Sequence, residues 1–121
     1  MTIAYWILAG LLAVFYLYAG GKKIMQSKDE LRPMMAWVDS MPLRLVRTIG
    51  VLEVLASIGL VLPPLTGVLP ALAMASAVGL TVLQVGATIT HLSRGEARVI
   101  GLNIALIAAS AATIWLSTVW L

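Results

Sequence analysis

The chain has no cysteine, one histidine and five acidic residues among 121. Thiol–disulfide relays, thiolate-ligated iron–sulfur clusters and cysteine nucleophiles all need a sulfur that is missing here. A single imidazole, His91, cannot build a metal or haem site of the multi-histidine kind, so no metal, haem or cluster is expected. Charge is scarce too. Asp, Glu, Lys and Arg make up 11% of the residues, against about a quarter in soluble domains.

What fills the chain is hydrocarbon: 61% of residues are hydrophobic and the mean hydropathy is +1.02. Four apolar runs each approach the ~20 residues that a bilayer core demands. The pattern predicts one all-α domain, a polytopic four-helix membrane bundle spanning residues 1–121, with spans at about 3–21, 43–62, 69–92 and 99–120. The first run has its charge, Lys22 and Lys23, after the apolar stretch and no A-x-A cleavage pattern, the reverse of a signal peptide. It reads as a retained helix that the two lysines stop. Pro63-Pro64 closes the second span, and Pro70 suits the first turn of the third.

A net charge of +3 and a pI near 9.7 do not point to nucleic acid, because the basic residues flank the spans. Lys22, Lys23, Lys28, Arg32, Arg44, Arg47, Arg94 and Arg98 all fall in or beside the first and third connections. The positive-inside rule puts those connections in the cytoplasm and both termini on the other side, in what is expected to be a bacterial cytoplasmic membrane. Within the cytoplasmic stretch 22–42, Ser27 and Glu30 have capping-box spacing for a short helix. Met34, Met35, Trp37 and Val38 beside Lys28 and Arg32 suggest a segment lying on the membrane surface. Tyr5 and Trp6 at one end of span one, and Tyr16 and Tyr18 at the other, are placed as interfacial aromatics.

Polar residues within the spans fall on stripes. Gly50, Glu53 and Ser57 share one helical face; Thr81, Gln84, Thr88 and His91 share another; Asn103, Ser110 and Ser117 form a third beside Thr113. A bundle turns such stripes inward, where they satisfy one another. At ~1.5 Å rise per residue, Glu53 lies about 14 Å from the cytoplasmic end, Gln84 about 12 Å and Asn103 about 6 Å. His91 and Tyr18 lie nearer the surface. An acid at mid-span costs about 2.5–3.5 kcal/mol to insert, so an idle one is not expected. Two readings of Glu53 stay open: a structural acid bonded to Gln84, Asn103 or a tyrosine, or a ligand anchor and proton carrier. In the second, Gln84, Thr88, His91, Asn103 and Tyr18 are its candidate partners.

Two short motifs carry a resemblance. "YAGGKKI" places Ala19, Gly20 and Lys23, and "GVLEVLASIGLVL" places Gly50, Glu53 and Gly59. In this order within four spans the chain resembles the DoxX-like family of small four-span membrane proteins. The resemblance implies an association with quinone-linked membrane redox systems, with some distant relatives acting in assembly or trafficking. A lipophilic binding or accessory subunit is therefore the leading expectation, its ligand a quinone or lipid, with no catalysis by the isolated chain. A partner subunit or a homo-oligomer is compatible with this. The alternatives are a small proton-coupled transporter, disfavoured because span one carries no acid, and an assembly factor for another membrane protein.

Overall fold

In hydrocarbon an unpaired backbone amide has no water to bond, so each apolar run must close its hydrogen bonds within itself. A computed structural model of the chain, describing residues 2–33, 35–96 and 100–121, is all-helical over those residues. Four long helices are α1 (Thr2–Met25), α3 (Leu43–Thr66), α4 (Leu72–Ser93) and α5 (Gly101–Leu116), the last prolonged by a 3-10 turn, Ser117–Trp120. All four, counting that turn, are long and apolar enough to cross a membrane. Between α1 and α3 lie a one-turn helix, α2 (Lys28–Leu31), and a 3-10 helix, Ala36–Ser40. Consecutive long helices alternate in direction; α1 packs on α3 and α5, and α4 packs between α3 and α5.

Several boundaries differ from the sequence expectation. Lys22 and Lys23 do not stop α1, which runs one more turn to Met25. Pro63-Pro64 does not close α3 either; the helix continues to Thr66 and ends on Gly67 in the left-handed conformation (φ 75°). Pro64 has no N–H for the carbonyl of Leu60 four residues earlier, and the Tyr5 hydroxyl donates to that oxygen instead, at 2.5 Å. α4 starts at Leu72, so Pro70 precedes its first turn, where its carbonyl accepts from Ala73 N–H at 3.1 Å. The expected start of span four at Val99 lies outside the described residues, as does the basic flank Arg98.

Tyr5 and Tyr16 do not face lipid. Both are fully buried in the central core with Leu12, Leu60 and Leu80. Position in the span suggested a belt; helical phase turns these two rings inward, and only Tyr18 points out. Tyr5 also packs edge-on to Trp6 and Trp120.

The connection between α1 and α3 folds back over the end of the bundle. Leu31, Met35 and Val38 bury against Ala19 and Val46, so Met35 and Val38 face protein while Trp37 is half-buried; Met34 lies outside the described residues. The capping box forms, with Ser27 Oγ accepting from Glu30 N–H and Glu30 Oε1 accepting from Ser27 N–H. Arg32 clamps the fold by binding Asp29 (2.6 Å) and Asp39 (2.9 Å). The Arg32 hydrogen bond holds the Asp39 carboxyl below its ordinary range.

Candidate functional site

Where α1 crosses α3, the two helices meet at glycines. A Cβ on Gly20 would lie 2.8 Å from the Gly50 carbonyl, and a Cβ on Gly50 would lie 2.8 Å from the Gly20 carbonyl. Only hydrogen fits at either position. The absence of two side chains also leaves room for stems from the facing helix. One turn beyond Gly20, the Cβ of Lys23 packs over Gly50; one turn beyond Gly50, the Cβ of Glu53 packs over Gly20. Lys23 Nζ and Glu53 Oε1 thereby form an ion pair. The pair is deeply buried, with Lys23 7% and Glu53 2% exposed.

Burying two opposite charges costs several kcal/mol of hydration apiece, offset only when geometry and further polar contacts are good. Further contacts are present. Lys23 Nζ also lies 5.5 Å from the centre of the Trp37 ring, a favourable place for a cation. Arg47 donates to the carbonyls of Lys23 (2.9 Å) and Ile24, filling acceptors left open where α1 ends. For a structural Glu53 the sequence offers Gln84, Asn103 or a tyrosine as the bonded partner. Lys23 holds it instead.

Gln84 and Asn103 do come together: Asn103 Nδ2 donates to Gln84 Oε1 at 2.8 Å, joining α4 to α5. Gln84 is buried, and the Tyr16 hydroxyl sits beside it and Ser110 without completing a hydrogen bond to either. Thr88 spends its hydroxyl on the Gln84 carbonyl (2.8 Å) and Ser57 on the Glu53 carbonyl (2.8 Å), which accounts for both without a ligand. His91 lies at the end of α4, where its Nδ1 is 3.0 Å from Glu96 Oε1. That contact, followed by Arg94, keeps the Glu96 carboxyl below its ordinary range. Tyr18 is not part of the group; it is 57% exposed on the outer face of α1, with Lys22 over its ring. Gly59 packs against Ser76 of α4.

Two cavities meet at the ion pair. One, of about 350 Å³, lies beneath the α1–α3 connection and reaches from Lys23, Glu53 and Gln84 to Asn103, His91 and Glu96. The other, of about 230 Å³, opens between α3 and α4 past Ile49, Val82 and Gly86. Lys23, Trp37, Glu53, Gln84 and Ala87 line both. A lysine donor, a carboxylate acceptor and an amide therefore face space from two sides, within otherwise apolar walls. No group of three or more His, Asp or Glu side chains suited to a metal occurs among the described residues.

Neither the curated proteins nor the solved structures contain a match to the chain. A family model does match, over residues 7–113, a stretch that takes in both glycine motifs, the ion pair and the Gln84–Asn103 bridge. The chain is an integral membrane protein of the DoxX-like family.

Proposed function

We propose that the protein is a membrane-embedded binding subunit that holds a lipophilic molecule by a compact, hydrogen-bonding head at the Lys23–Glu53 pair. The observation that carries this reading is the pair itself, buried yet forming the shared wall of two cavities. The pair borders space on both sides, so hydrogen-bonding capacity that the two side chains do not spend on each other is open to a second molecule. Because Lys23 and Glu53 together are net neutral and present one donor and one acceptor, the head that fits them is uncharged and carries carbonyl or hydroxyl oxygens. A quinone has that chemistry, and the family's association with quinone-linked redox systems favours it. Gln84, held by Asn103, offers its remaining hydrogen-bonding capacity to the same space.

The chain supplies binding and, through Glu53, a proton acceptor beside the bound oxygen; redox partners belong to another subunit. The positive-inside rule places the α1–α3 connection in the cytoplasm and both termini on the far side of a bacterial cytoplasmic membrane. His91 and Glu96, at the outer reach of the larger cavity, then stand between the pair and cytoplasmic water.

Native mass spectrometry of the gently solubilised protein tests the proposal. Wild type is expected to carry a co-purified lipophile that Glu53→Gln loses while keeping its helical circular dichroism. If Glu53→Gln retains the same bound mass, Glu53 does not anchor it and the reading fails.

A further inference from the structure

The smaller cavity does not end at the ion pair. Along the seam of α3 and α4 it adjoins an outward-facing apolar groove of about 490 Å³, with Val82 and Leu83 lining both. The groove floor is made of small residues, Ala56, Ala75, Ser76 and Gly79, and Leu52, Leu55 and Leu72 stand exposed along its sides. From Leu83 to Leu72 it follows α4 for about 16 Å, at ~1.5 Å per residue. That is about half of the ~30 Å hydrocarbon thickness, the depth of one leaflet.

We propose that this groove seats the hydrocarbon tail of the molecule whose head sits at Lys23–Glu53, so that the ligand is a long-chain lipid and reaches its site sideways from the bilayer. The inference rests on the reading of the ion pair as a head site and adds where the rest of the molecule lies. Adjacency supplies the reason: Val82 and Leu83 form a wall of both the cavity at the pair and the trough, so a head entering between α3 and α4 leaves its tail beside the trough. Charge narrows the class. Glu53 lies about 15 Å from the start of α3 at ~1.5 Å per residue, while Lys23 lies within the last turn of α1, and the two together are net neutral, which suits an uncharged oxygen-bearing head. The tail of such a molecule then runs along α4 away from its His91 end, where the groove is. Hydrocarbon gains little by leaving lipid for protein, so the groove selects and orients the tail more than it strengthens binding.

The test uses a benzoquinone bearing a long alkyl tail with a diazirine near its end, photolysed with the full chain in nanodiscs and mapped by peptide mass spectrometry. Gly79 lines the groove and has open space where a Cβ would stand, so Gly79→Leu extends a side chain into the trough, and an unchanged helical circular dichroism is required of the variant. Wild type is expected to show adducts concentrated on residues 52–56 and 72–83, removed by excess unlabelled quinone. Gly79→Leu should lose these adducts at least about tenfold, and Glu53→Gln should lose the competable fraction. Adducts spread equally over the outer faces of α1 and α5, or unchanged in Gly79→Leu while still sensitive to Glu53→Gln, would overturn the groove and leave the head site standing. Labelling insensitive to Glu53→Gln, or not competable anywhere, removes both. If Gly79→Leu instead converts a dimer to a monomer in light scattering, the groove belongs to a second copy and the inference is wrong.

Discussion

Gly50→Ala adds a single methyl group at the point where α1 and α3 touch. Its carbon would lie 2.8 Å from both the Gly20 carbonyl oxygen and Lys23 Cβ, and 3.1 Å from Ile24 Cγ1. Comfortable separations are about 3.5–4.0 Å, so the helices must part by roughly 0.5–1 Å at the crossing. The nearest obstacles are backbone and the first carbon of a side chain, which do not swing aside. Overpacking of this kind costs about 1–3 kcal/mol, and the better helix propensity of alanine returns only about 0.5–1 kcal/mol. A net loss of about 0.5–2 kcal/mol is expected, more if the shift also pulls Lys23 from Glu53. The assay is denaturant unfolding in mild detergent followed by circular dichroism, with Gly79→Ala and Gly86→Ala as controls because a Cβ at either position meets nothing within 4 Å. A Gly50→Ala protein as stable as wild type, or controls equally damaged, would refute the close-approach reasoning.

Other consequences are equally specific. Tyr5→Phe should cost about 1 kcal/mol, since it orphans the Leu60 carbonyl that Pro64 leaves free, whereas Tyr16→Phe should be neutral or stabilising because its buried hydroxyl completes no hydrogen bond; thermal melts of the two variants side by side check the contrast. Asn103→Leu leaves Gln84 without its donor and should cost about 0.6–1.7 kcal/mol, the range for hydrogen bonds between membrane helices, read by the same melts. The folded-state Asp39 carboxyl lies below its unfolded value of about 3.9, so its contribution is present above that pH and is lost as pH falls through the lower folded value. Hydrogen exchange of amides 28–40, corrected for intrinsic rates, should therefore accelerate in that acid window in wild type and show no such step in Arg32→Leu.

The four spans were legible because hydrocarbon imposes a coarse rule, length and hydropathy, that any sequence must obey. Helix ends were less so. α3 passes through Pro63-Pro64, and the Leu60 carbonyl that Pro64 leaves free is met by Tyr5, 55 residues earlier in sequence than Leu60, which no local pattern announces. Helical phase correctly set Glu53, Ser57, Gln84 and Ser110 on buried faces, since each stripe is a property of one helix. It did not identify the partner of Glu53, because pairing is a property of two. Lys23 was read as a flanking charge, yet it occupies the third place after Gly20 as Glu53 does after Gly50. Equal spacing after two glycines on antiparallel helices was the available signal. Tyr18 is a candidate partner of Glu53 by sequence, but its phase on α1 turns it to the outside.

The central claim is that a bound lipophile engages Lys23 and Glu53 as one unit. A short-tailed quinone analogue titrated in nanodiscs against wild type, Lys23→Met, Glu53→Gln and the double variant measures this directly. Each single change is expected to weaken binding at least about tenfold, equivalent to about 1.4 kcal/mol, and the double variant should lose no more than the weaker-binding single, because the two side chains act together. Binding unchanged in both single variants, or losses that add independently, would contradict the account.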